Sequence, residues 1–141
     1  MSRVRDIVCD RKLFHVDDGE TVAAVARRMA ELQVGAILVL SGGELRGVFS
    51  ERDLMKRVVL ERRDPERTPV RDVMSTGLAT IDEEASIEDA MAQMEAHSCR
   101  HLPVMRGQDV VGFVSMRDLM HYEVARKTEE NTHMRAYIGS A

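Results

Sequence analysis

The chain has 141 residues, enough for one domain of ordinary size. It is 44% hydrophobic and 31% charged, only 4% aromatic with no Trp, and carries a net charge of −4. That balance permits an aliphatic, Met-containing core and excludes the clustered basic field that a nucleic-acid backbone requires. The first ten residues alternate charged and apolar side chains. Leu13–Val16 reads as a short extended run. A helix is expected after Thr21, which stands at its N-cap, with Val22, Val25, Ala26, Met29 and Leu32 on one face. Ala36–Leu40 and Leu45–Phe49 are expected strands around the turn Ser41-Gly42-Gly43, where Gly permits positive φ. A second helix starts after Ser50. Glu61–Pro69, polar and Pro-bearing, reads as a linker. The order then recurs. Leu78–Ile81 is extended, and Ser86 with Asp89 caps a helix carrying Ile87, Ala90, Met91 and Met94 on one face. Strands Leu102–Met105 and Val110–Val114 flank Arg106-Gly107-Gln108, and a helix follows Ser115. His121–Ala141 is expected to be helical through about Tyr137, with Val124, Met134, Tyr137 and Ile138 as a thin apolar set. Such a tail suits capping the fold or pairing with another subunit.

The recurrence is an internal repeat. A shift of 65 residues overlays Val16–Met55 on Ile81–Met120 without a gap. Its strongest block sets Ser50-Glu51-Arg52-Asp53-Leu54-Met55 against Ser115-Met116-Arg117-Asp118-Leu119-Met120. A shorter echo, at a shift of 66, sets Val4-Arg5-Asp6-Ile7 against Val70-Arg71-Asp72-Val73. Each half reads β-α-β-β-α. One such half would bury too little apolar surface to be robust, so packing sheet against sheet is expected. The expected fold is therefore α/β (α+β): two tandem modules, 1–65 and 66–125, about a pseudo-twofold axis, with a helical tail at 126–141.

The halves close with Gly47-Val48-Phe49-Ser50-Glu51-Arg52-Asp53 and Gly112-Phe113-Val114-Ser115-Met116-Arg117-Asp118. With Val70-Arg71-Asp72-Val73-Met74-Ser75 and Arg100-His101-Leu102-Pro103-Val104, these segments resemble the cystathionine-β-synthase (CBS) domain family over roughly residues 4–125. The resemblance implies a Bateman module: two CBS modules with two clefts between their sheets. The clefts would hold adenosine-containing ligands (AMP, ADP or ATP, then NAD(H), and less readily S-adenosylmethionine). It also implies sensing or regulation rather than catalysis, frequent dimerisation, and a kinship with small bacterial proteins made of little beyond a CBS pair.

By that resemblance, one cleft combines Ser115 and Asp118 with Lys12, Phe14, Val34, Gly35, Ala36 and Phe113. The other combines Ser50 and Asp53 with Val48, Gly77, Leu78 and Cys99. Arg100 and His101 would lie near the axis, within reach of phosphates. Asp53 and Asp118 suit ribose hydroxyls, and Ser50 and Ser115 suit a ribose or phosphate oxygen. Arg52 and Arg117 suit phosphates, through charge-assisted bonds worth about 1.5–3 kcal/mol each. A helix N-terminus favours such anions. Ser-x-x-Asp is equally a variant capping box, Arg52 and Arg117 equally solvated surface arginines, and His101 equally a packing histidine. Copy one has Val34-Gly35-Ala36 where copy two has Cys99-Arg100-His101, so unlike sites are expected.

No catalytic constellation stands out. His15, His97, His101, His121 and His133 lack metal-site spacing, and Gly42-Gly43 is a hairpin turn rather than a phosphate loop. Cys9 and Cys99 are too few for a disulfide framework and are expected to be reduced thiols. With no signal-peptide core and no run near ~20 apolar residues, a cytoplasmic, non-membrane protein is expected. Its output would pass to a separate, unidentified protein target. The competing expectation is a ligand-independent structural dimerisation module; nucleotide turnover is a more distant third.

Overall fold

The computed structural model describes residues 2–139, with side chains described through Glu130. His133, Met134, Tyr137 and Ile138 of the expected tail therefore lie outside the described residues as far as side chains go. The elements are α1 (Arg5–Val8), β1 (His15–Asp17), α2 (Val22–Leu32), β2 (Ala36–Ser41), β3 (Glu44–Ser50) and α3 (Glu51–Asp53), which continues as a π-helical stretch, Leu54–Val59. A 3-10 turn at Val70–Asp72 leads to β4 (Ile81–Asp82), α4 (Ile87–Ala96), β5 (His101–Arg106), β6 (Asp109–Ser115) and α5 (Met116–Gly139). Among the described residues no helix is long and apolar enough to cross a membrane.

Two three-stranded sheets form, β1-β2-β3 and β4-β5-β6, each with a parallel first pair and an antiparallel second pair. The register breaks between Val39 and Leu40 and again between Val104 and Met105, so the irregularity itself is duplicated. Strand β2 shows why two layers are needed. Ala36 through Leu40 are all buried, although alternate side chains point to opposite faces. Ile37 and Val39 join the core under α2, together with Val16, Val25 and Phe49. Ala36, Leu38 and Leu40 face the other way, into a cluster with Val48, Leu13, Leu78 and Phe113. Leu13 and Leu78 are repeat equivalents, as are Val48 and Phe113, so this second cluster joins the two modules.

The module boundary differs from a simple cut in the chain. Val4 and Val8 are buried in the core of the second half, beside Ile81, Ile87, Leu102 and Leu119. Val70 and Val73 are buried in the core of the first half. The backbone repeats the exchange. Val4 N–H donates to Ala85 O and Arg5 N–H to Glu83 O, while Val70 N–H donates to Glu20 O and Arg71 N–H to Asp18 O. Each half thus lends its leading segment to the other. The units expected at 1–65 and 66–125 describe the repeat, and the packing crosses them in both directions. The glycines of the two closing motifs make room for these segments. A Cβ on Gly47 would stand 2.6 Å from Ser75 O, and one on Gly112 would stand 2.8 Å from Val8 Cβ.

The linker is also part of the fold. Pro65 O and Thr68 O accept the N–H groups of Ala23 and Val22, first-turn donors of α2 that have no partner within the helix. Thr68 is buried, and its hydroxyl donates to Asp64 O at 2.7 Å. The tail expected at 126–141 is not a separate element. With no Gly or Pro between Met116 and Ile138 to interrupt it, the last module helix runs on as α5.

Candidate functional site

Both Ser-x-x-Asp motifs form capping boxes. Asp53 N–H donates to Ser50 Oγ at 3.2 Å, and Ser50 N–H returns to Asp53 Oδ2 at 3.0 Å. Asp118 N–H donates to Ser115 Oγ at 3.0 Å, and Ser115 N–H to Asp118 Oδ2 at 2.8 Å. Such boxes satisfy otherwise unpaired donors of a helix start and contribute about 0.5–2 kcal/mol.

Beyond the caps the two acids part company. Asp53 is buried, and its second oxygen accepts the Ser75 hydroxyl at 2.9 Å. Ser75 is itself fixed by reciprocal backbone bonds with Val48. Arg57 Nε lies 3.8 Å from the same oxygen. Asp118 is more open, its side chain 25% exposed, and a cation reaches it from far along the chain. Arg11 Nη2 donates to Oδ1 at 3.1 Å and Nη1 lies 3.0 Å from Oδ2, a bidentate pairing. Burial pushes the Asp118 carboxyl up, but the Arg11 guanidinium and the Ser115 N–H and hydroxyl outweigh it and hold the group below the usual carboxylate value.

Asp118 borders a cleft of about 1070 Å3 between the modules. The side expected from the first module is present: Lys12 and Phe14 before and within the first extended run, and Val34, Gly35 and Ala36 at the start of β2. The second module contributes Phe113, Ser115, Arg117 and Asp118 from β6 and the start of α5. Arg100 and His101 line the same cleft at the start of β5. His101 stacks on Phe113, with ring centroids 5.2 Å apart and planes 25° apart. Burial lowers the His101 pKa; Asp118 raises it, Arg100 lowers it and Glu51 raises it, with a net shift downward. Packing and cleft-lining are therefore one role for this histidine.

The second grouping was expected in the other cleft, and its residues are placed as follows. Val48 is buried in the inter-module cluster and bridges Ser75. Leu78 packs against that cluster, and Cys99 packs against the core of the second module. Gly77 is exposed at φ 64, and Arg52 is exposed at the start of α3. Ser50 and Asp53 are tied up in the cap and to Ser75. The repeat differs at the positions around the acids: Arg11 has Gly77 as its counterpart at the shift of 66, and Arg57 has Tyr122 at the shift of 65. At the shift of 66, Ser75 corresponds to Cys9, which is exposed and leaves Asp118 to Arg11.

Sequence reasoning missed Arg11, along with Gln33, Ile37, Val111, Met120 and His121, which also line the cleft. Arg11 is separated from Asp118 by 107 residues and belongs to no motif, so only the exchange of leading segments reveals the pairing.

The comparisons agree with this architecture. The CBS domain model matches residues 4–60 and 70–125. The chain is 36% identical over 119 residues to CBS domain-containing protein YhcV of Bacillus subtilis, covering 84% of each. It is 32% identical over 124 residues to the mitochondrial CBS domain-containing protein CBSX3 of Arabidopsis thaliana, covering 84% of this chain and 60% of that one. Among solved structures it is similar to a CBS-domain protein of Burkholderia ambifaria, with TM-score 0.83 and 31% identity over 88% of this chain and 95% of that one. It is also similar to Hypoxic Response Protein I, whose structure holds two coordinated zinc ions, with TM-score 0.75 and 27% identity over 86% of this chain and 99% of that one. Among the described residues here, no group of three His, Cys, Asp or Glu side chains is placed to hold a metal ion. Proteins built as CBS pairs are generally regulatory rather than catalytic. With two matched modules, two duplicated sheets and a cleft between them, this chain belongs to the CBS domain family as a tandem pair.

Proposed function

We propose that the chain is a regulatory module that binds a phosphorylated adenosine compound (AMP, ADP or ATP, with NAD(H) a further member of the class) in the Asp118 cleft, without chemistry on it. The observation that carries the reading is the charge of the lining. Among the described residues Arg11, Lys12, Arg100 and Arg117 line the cleft against the carboxylate of Asp118, with the Glu51 carboxylate beside Gly35, in a chain whose net charge is −4. A local excess of cations beside the apolar walls of Phe14, Val34, Ala36 and Phe113 suits a ligand with an aromatic base at one end and phosphates at the other. S-adenosylmethionine, with its sulfonium cation, suits this lining poorly.

Unlike the two sites expected from the repeat, the reading assigns one ligand to each chain, because Asp53 is already satisfied by Ser75. Isothermal calorimetry with AMP, ADP, ATP, NAD and S-adenosylmethionine tests it. The expected result is one site per chain, with affinity lowered about tenfold or more in Asp118→Asn and retained in Asp53→Asn. Absence of binding by every compound overturns the reading, and loss of the site in Asp53→Asn alone overturns its location. Ligand at a hundredfold excess over Kd would add about 2.7 kcal/mol to stability, so thermal melts give an independent check.

A homodimer accompanies this reading. Met55 and Val59 are exposed on the helix after β3, and their repeat equivalents, Met120 and Val124, are exposed on α5. Two equivalent apolar stripes on pseudo-symmetric helices give a surface suited to a second copy of the chain. A cytoplasmic location and a separate protein target complete the reading.

A further inference from the structure

We propose that Arg11 is a counter-ion latch that makes the cleft discriminate phosphorylated nucleosides from bare nucleosides; this rests on the reading of the Asp118 cleft as a nucleotide site. The two halves solve the same problem differently. In the first, the acid of the capping box is satisfied by Ser75, a short side chain held by backbone bonds on both sides of its residue. Ser75 cannot leave without breaking the backbone pairing to Val48. In the second, the acid is satisfied by Arg11, which is 46% exposed and carries its guanidinium on a long flexible stem. Its backbone makes a single bond, from its N–H to Val8 O. Arg11 can therefore exchange one anion for another while its backbone stays in place, because α1 remains anchored by the burial of Val4 and Val8.

The exchange has a direction. A ribose needs the oxygens of Asp118, and both are covered by the Arg11 fork. A nucleoside must break the pair and leaves Arg11 with water. A nucleotide breaks the same pair but brings a phosphate for the guanidinium to hold, with Arg100 and Arg117 on the same lining. The latch thus subtracts affinity from every ligand and returns it to those with a phosphate. Arg11 is a specificity-determining residue, and removing it should move nucleosides and nucleotides in opposite directions, which a purely structural or purely electrostatic role does not.

Calorimetric titration of ATP, AMP and adenosine into the wild type, Arg11→Ala and Arg11→Gln tests this. ATP is expected to weaken about tenfold in both variants. Adenosine is expected to tighten by about two- to fivefold, the worth of a partly exposed ion pair that no longer has to be broken. Adenosine binding that is unchanged or weakened in both variants overturns the latch while leaving the nucleotide site in place. Equal wild-type affinity for ATP and adenosine does the same. Failure of all three compounds to bind the wild type overturns the site assignment and the latch with it.

Discussion

The hydroxyl of Ser75 donates to Asp53 at 2.9 Å, so the second half of the chain satisfies the buried acid of the first. Ser75→Ala leaves a nearly inaccessible carboxylate oxygen without its donor. The expected loss is about 1–3 kcal/mol in urea unfolding, with an unchanged m-value. The equivalent change on the other side, Cys9→Ala, touches no such acid and is expected to fall within about 0.5 kcal/mol of wild type.

The closing glycines give a graded prediction. Gly112→Ala would put its Cβ against Val8 side-chain atoms at 2.8–3.0 Å, and overpacking of this kind costs about 1–3 kcal/mol. Gly47→Ala would meet the backbone oxygen of Ser75 at 2.6 Å as well as the Met74 side chain, and a paired backbone cannot move aside as cheaply. Gly47→Ala is therefore expected to be the more destabilising. Val8→Ala removes two of the three atoms that Gly112→Ala collides with, Cγ1 and Cγ2, and keeps the Cβ. The double variant Gly112→Ala/Val8→Ala is expected to be more stable than the sum of the two losses by about 0.5–3 kcal/mol, measured by a double-mutant cycle. Strict additivity would contradict the close approach.

Acid should act on the cleft in two stages. Burial leaves His101 with a folded pKa below its unfolded value of about 6.5, so in that window the unfolded chain binds more protons and stability falls as the pH drops. For Asp118, burial opposes the shift, but Arg11 and Ser115 win and depress its pKa. The stability it contributes is complete above its unfolded value of about 4 and is lost as the pH falls through the folded one. Melting temperatures across the acid range are expected to show both limbs. His101→Phe keeps the stacked ring beside Phe113 and should flatten only the upper limb; Arg11→Ala removes a main cause of the depressed Asp118 pKa and should shrink the lower one.

The exposed stripes predict a shared fate for repeat-equivalent residues. Val59→Lys and Val124→Lys each place a charge on a stripe that a second copy would cover. Both are expected to shift the chain from dimer to monomer in multi-angle light scattering, with melting behaviour at low concentration unchanged. A dimer that survives the double substitution would place the interface elsewhere.

Much of the fold was legible because its causes are local. The apolar runs Ala36–Leu40 and Leu102–Met105, the caps at Thr21 and Ser86, and the hairpin glycines each act over a few residues, and the repeat states every one of them twice. The outline of the cleft on the Asp118 side came from the resemblance to CBS pairs, which assigns Phe14, Val34, Ala36 and Phe113 to it, and the same residues line it here. The seam between the halves was not legible. Residues 61–69 looked like a free linker because their apolar content is low, yet the helix start that they satisfy needs carbonyl oxygens, which every sequence supplies.

The sequence by itself determined the duplication and the β-α-β-β-α order, since periodicity, capping and turn preferences depend on near neighbours. Only the tertiary structure decided that the two halves exchange their leading segments. That exchange sets Ser75 on Asp53 and Arg11 on Asp118 across 22 and 107 residues of chain. A nearly symmetric pair of motifs is thereby divided into one closed acid and one guarded by a movable cation. The reason is physical: which donor meets a carboxylate depends on where the packing of Val4, Val8, Val70 and Val73 carries the residues that follow them.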